Sequence, residues 1–386
     1  MNKKFFMGIA AMAALTLVSC SSDDLNSLSD NSSKNEAISF DGYLGRSAVA
    51  VNGTRGSVET KETLKNKGFG VFGKYDAGEG QTSDFFVNQK VTYSTTASKW
   101  TYTPLKYWPT QGKIDFLAYA PHKEGQNLNA NTTAFDFTVA KKAADQIDLL
   151  WANATGKITE SFEGTTKEKV KFLFKHALSR LGYTVKLSGN YSPDNATFTL
   201  KKITLAGSPD ETTKAFYTKG TIDLSKTDTK EKLSKTNTET GLWTAATSAD
   251  NKQNFTWFEG SYIVESSDSK HPTNSAKEDY SDKDYLFVIP QNFSEKIGET
   301  ENPDKLYVIV EYDVTYNSGT KTTITNKVYK KLPIDLMQGK AYMLNLTIGL
   351  PIEFDIDVDT VSGVENWEEV NDVPGNIDSW DDINRK

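Results

Sequence analysis

LYVIVEY, at residues 306–312, is a run of β-branched, aliphatic and aromatic residues that fits the pleated, half-buried surface of a strand. Polar and turn-forming residues flank it on both sides. Runs of the same kind recur along the chain: ISF (38–40), FGVF (69–72), IDFLAY (114–119), FLF (172–174), YLFVI (285–289) and YMLNLTI (342–348). Short apolar runs separated by turn residues are typical of β-sandwiches, so the sequence predicts an all-β fold.

Helical patterns are short. They cover one or two turns near residues 60–67, 140–146 and 227–233. None of these segments is long enough for a coiled coil or for a helix that lies on a membrane. The helices are therefore expected to be minor parts of the fold.

The composition limits the class of protein. The chain has 386 residues and a formal net charge of -7, with 37% hydrophobic and 25% charged residues. That length predicts one to three domains with cores of their own. The acidic balance argues against a nucleic-acid partner, which would need a concentrated basic face. Cys20 is the single cysteine, so the rest of the chain holds neither a disulfide nor a thiol nucleophile.

The first twenty residues have the pattern of an export signal. Lys3 and Lys4 precede an apolar run at residues 5–18, which is too short to span a bilayer. The run ends in LVSC at residues 17–20, which resembles the lipobox of bacterial lipoproteins. We predict a signal peptide at residues 1–19, acyl chains on Cys20 that insert in outer-membrane lipid, and a polar tether at residues 20–37.

The sequence offers little for catalysis or metal binding. His122, His176 and His271 lack another His or Cys at the spacing of metal ligands, and His176 is expected to be a hydrogen-bonded structural residue. Asp355, Asp357 and Asp359 alternate along one strand face; they lack the Gly and distal Glu of an EF-hand loop, so a solvated face is preferred to a calcium site. We predict no cofactor, no metal and no enzymatic activity.

Aromatic side chains could stack on sugars or fill a sandwich core. The candidates are Trp100, Tyr102, Tyr107 and Trp108. Core packing is the preferred interpretation. A hydrolase on a sandwich remains a disfavoured third class, since no pair among the many carboxylates is singled out as acid and nucleophile.

An ordered series of short motifs runs through most of the chain. It consists of the lipobox, ISF (38–40), TR (54–55), GFGVF (68–72), WTY (100–102), YWP (107–109), FLAYAP (116–121), KHALSRL (175–181), FVIPQ (287–291), GKAY (339–342), IGL (348–350) and Trp367. This series resembles the fimbrillin-like proteins of Bacteroides and relatives, the subunits of type V pili. The 19 or so residues after Trp367 are more polar than expected of a donor strand, which leaves a shaft, tip or anchor role open.

The resemblance implies an architecture and a route to the cell surface. It implies two transthyretin-like β-sandwich domains, which we place at residues 38–205 and 206–386. It also implies an outer-membrane lipoprotein precursor that an Arg-specific, trypsin-like protease converts into a subunit of a surface fimbrium. The implied partners are other copies or related pilus subunits, and a host or glycan receptor.

Residues 38–51 have the composition of a strand that the protease would remove. Phe40, Leu44, Val49 and Val51 are its apolar side chains. Burial of four such side chains is worth about 6–12 kcal/mol, so removal would leave a weakened domain with an open groove. Arg55 lies in a flexible NGTRGS stretch and is the preferred cleavage site. Arg46, inside the strand, is the alternative.

The strand that refills the groove is expected near the C-terminus. Residues 351–361 alternate Ile352, Phe354, Ile356 and Val358 with acidic residues, as in a strand with one buried face. This segment could insert into a neighbour or pair within its own subunit. The main hypothesis is therefore a pilus subunit that polymerises by strand exchange and contributes to adhesion. The alternative is a monomeric, glycan-binding surface lipoprotein.

Overall fold

The computed structural model describes residues 37–44, 59–78, 82–158, 169–226, 239–240, 242–264, 285–350 and 353–360. The predictions for Cys20, Arg46, Val49, Val51, Arg55 and Ile352 lie outside these ranges. Within them, no helix is both long and apolar enough to cross a membrane.

Strands dominate the first part of the fold. Its elements are β1 (Phe40–Leu44), α1 (Lys61–Lys67), β2 (Phe69–Asp76), β3 (Thr82–Ser94), β4 (Lys99–Thr101), β5 (Lys113–Ala120), β6 (Ala134–Thr138), β7 (Leu150–Ile158) and β8 (Val170–His176). The helix predicted near residues 60–67 is confirmed as α1, which Thr60 and Thr63 start with a capping box. The segment at 140–146 contains only a single 3₁₀ turn, Ala143–Asp145.

The second part of the fold adds seventeen strands. They are β9 (Ser179–Leu187), β10 (Ala196–Ala206), β11 (Phe216–Tyr217), β12 (Lys219–Asp223), β13 (Glu239–Thr240), β14 (Trp243–Ala245), β15 (Lys252–Gln253), β16 (Phe255–Val264), β17 (Leu286–Val288), β18 (Gln291–Asn292), β19 (Lys296–Ile297), β20 (Thr300–Glu301), β21 (Tyr307–Tyr316), β22 (Thr322–Lys331), β23 (Asp335–Leu336), β24 (Ala341–Gly349) and β25 (Glu353–Thr360). The predicted all-β fold is confirmed.

The first core is formed mainly by side chains of a seven-stranded sheet with the order β1-β8-β7-β5-β2-β3-β4. Its larger members are Phe40, Phe69, Phe86, Phe116, Phe172 and Phe174. Alternate residues of β8 enter this core, because successive side chains of a strand point to opposite faces. β1 and β4 are the terminal strands of the sheet, and β1 is therefore bonded to a single neighbouring strand, β8.

The second core lies between two four-stranded sheets, in the manner of a sandwich. Their orders are β16-β10-β21-β22 and β17-β9-β24-β25. Tyr183, Phe198, Val310 and Leu346 are among the buried side chains that the two sheets contribute. The boundary predicted between residues 205 and 206 would separate β9 and β10 from their partners. The number of domains stays a prediction, and the packing favours a division before β9.

A central core joins the first and second cores. It contains Phe72 and Trp151 from the early strands together with Trp243 and Phe287 from the later ones. Trp243 Nε1 donates to the carbonyl oxygen of Ala177 over 2.6 Å. In addition, the Phe287 N–H donates to Gln146 Oε1 over 2.7 Å. Buried side chains and buried hydrogen bonds thus hold the early and late parts of the chain together.

Candidate functional site

The candidate site is the place that β1 occupies in the first core. β1 runs parallel to β8, with Phe40 opposite Val170 and Leu44 opposite Phe174. Phe40 is 2% exposed and Leu44 is 6% exposed, and Ile38 just before the strand is also buried. The structure thus places Phe40 and Leu44, two of the four apolar residues predicted for this segment, on the buried face.

Phe40 lies at the centre of an aromatic cluster. Its ring centroid is 5.3 Å from that of Tyr102 and 5.6 Å from that of Phe86. It is 5.7 Å from the centroids of both Phe116 and Phe172. Without β1, these four rings would line an open groove in the first core.

Gly42 lets β1 approach the core closely. A Cβ atom at this position would lie 2.9 Å from Phe69 Cε1, and the rings of Phe174 and Trp100 are also close. A contact under 3 Å is tighter than real Cβ atoms show, so a side chain here would displace β1 or the Phe69 ring. The glycine is therefore part of the fit between the strand and its groove.

The start of the β1 segment is also held on the side away from β8. The Ile38 N–H donates to the carbonyl oxygen of Lys106 over 2.9 Å. The Tyr102 hydroxyl donates to the carbonyl oxygen of Ile38 over 2.8 Å, and Ala37 forms an antiparallel bridge with Tyr107. The segment therefore closes the first core between β8 and residues 102–107.

The chain is anchored a second time at Glu59, whose own bonding partners lie outside β1. The Glu59 N–H donates to Asp148 Oδ2 over 2.9 Å, and Lys67 Nζ lies 2.5 Å from Glu59 Oε1. Burial raises the pKa of Glu59, while its hydrogen bonds with Lys67 and Thr63 oppose that shift. This anchor follows both candidate cleavage sites in the sequence.

His176 belongs to the same buried cluster. Its Nδ1 lies 2.9 Å from Asp148 Oδ1, and both side chains are fully buried. The prediction of a hydrogen-bonded structural histidine is confirmed. Among the residues that the structure describes, no three His, Cys, Asp or Glu side chains are grouped so as to hold a metal ion.

β25, which contains the predicted donor residues, pairs within its own subunit. It is antiparallel to β24 and forms the edge of its sheet. Phe354 and Ile356 are 2% and 3% exposed in the second core, and Val358 packs against it. Asp355 and Asp357 lie on the opposite, exposed face, as the alternation predicted.

The four aromatic residues considered for sugar stacking are divided between the core and the surface. Tyr102 and Trp108 are buried in the first core, and Trp100 packs against it. Tyr107 is 50% exposed. Core packing, the preferred interpretation, accounts for three of the four residues.

Comparison with known proteins identifies the family of this chain. A family model described as fimbrillin-like matches residues 54–367. The chain belongs to the fimbrillin-like family. The resemblance predicted from the ordered motifs is confirmed by this match.

One curated protein and one solved structure illustrate the relationship. This fimbrillin-like chain is 28% identical to fimbrium subunit Fim1C of Phocaeicola vulgatus over an alignment of 404 residues with gaps included. The alignment covers 96% of this chain and 98% of that protein. Its fold is similar to the crystal structure of a fimbrial protein from Bacteroides vulgatus, with a TM-score of 0.57 and 20% identity. That similarity covers 85% of this chain and 99% of the other.

Sequence reasoning missed parts of the candidate site in this fimbrillin-like chain. The close fit at Gly42 and the anchor between Glu59 and Asp148 were not predicted. The anchor could have been predicted only if the sequence had indicated a buried carboxylate beside His176. The sequence gives no sign that Asp148 is buried. The contact between residues 37–38 and residues 106–107 joins segments far apart in the chain, which local periodicity does not relate.

Proposed function

We propose that this fimbrillin-like chain is a structural subunit of a cell-surface fimbrium, and that it polymerises by strand exchange and contributes to adhesion. It is exported as a lipoprotein through Cys20 and matured by cleavage after Arg55 or Arg46. The observation that carries the proposal is the position of β1, a terminal strand that packs among aromatic rings and precedes the anchor at Glu59 in the chain.

The burial of β1 explains why its removal would drive assembly. Ile38, Phe40 and Leu44 are all buried. Three side chains of this size contribute about 5–9 kcal/mol, at 1.5–3 kcal/mol each. A whole domain is stable by only about 5–15 kcal/mol. The cleaved subunit would thus hold a weakened first core and an unpaired β8 edge, which a strand from a neighbour can complete.

The distribution of arginine supports an Arg-specific protease. Of the 44 basic residues only four are arginines, at positions 46, 55, 180 and 385, and the others are lysines. Arg180 is 4% exposed, and its guanidinium carbon lies 4.4 Å from the centroid of the Tyr285 ring. A protease that distinguishes arginine from lysine would therefore spare the folded part of the chain, whereas one that accepts lysine would find many sites.

Cleavage at either candidate site leaves the anchor at Glu59 in the product. Cleavage after Arg55 removes all of residues 38–51, while cleavage after Arg46 removes β1 and leaves residues 47–58. Either product keeps Glu59, its bond to Asp148 and the start of α1. We prefer Arg55 because it removes the whole predicted segment.

β25 is suited to be the donor because it is an edge strand with an apolar face that a neighbour's groove could bury again. As an edge strand it is hydrogen-bonded to one neighbouring strand, β24. In strand exchange, Phe354 and Ile356 would leave the core of their own subunit and be buried in the groove of a neighbouring subunit. In the precursor, β1 belongs to the same chain as its groove. It therefore competes with an incoming strand at a high effective concentration. Exchange is therefore favourable only after cleavage.

The test is treatment of the purified precursor with an Arg-specific protease. We expect one product with an N-terminus at Gly56, or at Ser47 if Arg46 is cut, followed by a ladder of polymers on gels. An R46K/R55K double variant, in which Arg180 and Arg385 remain, should keep residues 38–55 attached and stay monomeric. A wild-type chain that is cut yet stays monomeric, particularly one that binds polysaccharide, would support the glycan-binding alternative instead.

A further inference from the structure

The outer face of β8 carries a short basic row beside the groove. Val170, Phe172 and Phe174 point into the first core and are buried. Lys169 and Lys171, on the alternate positions, are exposed, and Leu173, next along the same face, is 54% exposed. Any strand that lies beside β8 in the groove therefore places its own outer residues next to these two lysines.

The strand that fills the groove in the precursor carries an acid at this position. Asp41 of β1 lies opposite Lys171 in the parallel register. Tyr43 lies opposite Leu173, and its hydroxyl donates to Asp41 Oδ2 over 3.1 Å. β1 thus matches the basic row with an acidic residue and the apolar residue with an aromatic one.

β25 has the same arrangement with more negative charge. Phe354 and Ile356 point into the second core, while Asp355 and Asp357 are exposed on the other face. In its own sheet this acidic face lies beside Met343, Asn345 and Thr347 of β24, which carry no charge. The cation in contact there is Lys330 of β22, whose Nζ lies 2.6 Å from Asp355 Oδ1.

We propose that Lys169 and Lys171 form a recognition row that selects an acidic-faced strand, and that the partner it fits is β25 of a second copy of this chain. The proposal rests on the proposed function. It follows from the two-residue period of a strand: if Phe354 and Ile356 enter the groove, Asp355 and Asp357 must lie on the face of the lysines, in any register that keeps the apolar residues inside. A slip by one residue would bury the carboxylates.

Charge matching of this kind acts mainly on the rate and selectivity of assembly. Opposite charges on neighbouring strands attract the incoming strand and disfavour partners with the same sign of charge. Because the lysines and aspartates are exposed, salt screens the attraction. The row therefore predicts self-assembly that slows as the ionic strength rises.

The test compares the polymerisation rates of full-length variants after cleavage by the Arg-specific protease, in low and high salt. The D355K/D357K donor variant and the K169E/K171E acceptor variant should each polymerise about tenfold more slowly than wild type in low salt. A chain that combines all four changes should recover most of the wild-type rate. The matched control is K142E/K321E, which reverses two exposed lysines elsewhere and should not slow assembly.

Each outcome has a distinct meaning. The recognition row is supported if the donor and acceptor variants polymerise slowly and the chain with all four changes recovers. These differences should disappear in about 0.5 M salt. If every variant polymerises at the wild-type rate in both low and high salt, the recognition row is overturned and the proposed function stays intact. Cleaved wild-type chain that never polymerises would overturn both. Urea unfolding of each uncut variant verifies that the changes leave the fold intact.

Discussion

Replacing Phe40 with alanine should strongly destabilise the uncleaved protein. The ring is 2% exposed and lies within 5.7 Å of four other aromatic rings, centroid to centroid. Truncation of a buried Phe to Ala costs about 3–5 kcal/mol, since the lost burial adds to the cost of the cavity. We expect a value in the upper half of this range, because rings on several sides limit the collapse of the cavity.

Urea unfolding of the full-length precursor, followed by tryptophan fluorescence, measures this effect. Trp108 is buried in the first core and Trp100 packs against it, so two of the seven tryptophans report on the region around β1. Tyr43→Ala is the matched control, because Tyr43 lies on the same strand but is 47% exposed. It should change the free energy of unfolding by less than about 1 kcal/mol. If Phe40→Ala costs no more than this control, β1 does not close the first core and its removal could not drive assembly.

Three further predictions concern the anchor and the fit of β1. Asp148→Ala should cost about 2–4 kcal/mol in urea unfolding, because it leaves the His176 ring and the Glu59 N–H buried without their acceptor, while Asp148→Asn should cost less; equal costs would contradict this role. Since the folded-state pKa of Glu59 is raised from 4.5, its contribution to stability is greatest below that pH and falls as the pH rises. Between about pH 4.5 and 7, the free energy of unfolding should therefore fall less in Glu59→Gln than in wild type. Parallel pH profiles of the two unfolding free energies would refute this. Gly42→Val should cost about 1–3 kcal/mol through overlap with the Phe69 ring, and an unchanged urea midpoint would show that the strand has room to move.

The parts of the fold that depend on local pattern could be predicted from the sequence. The run at residues 342–348 lies within β24, and the alternation at residues 354–358 gives the buried and exposed faces of β25. A two-residue period is a local property, so a single sequence is sufficient to show it.

The parts that depend on pairing between distant segments could not be predicted. β1 pairs with β8 in parallel, and β9 and β10 pack with strands that follow much later. Periodicity indicates which face of a strand is buried but not which strand lies beside it. The same limit applies to Asp148, whose burial results from the meeting of Glu59 and His176 in three dimensions.

The central core has a mechanical consequence for any assembly of this chain. Trp243 and Gln146 bond buried backbone groups of other segments, and aromatic rings from early and late strands fill the space around them. In a fibre built by the proposed strand exchange, we expect a pulling force that enters beside β8 and leaves through β25 to be spread over this packed interior. Each copy should then stretch as one stiff element, so that bending and extension are concentrated at the joints between copies.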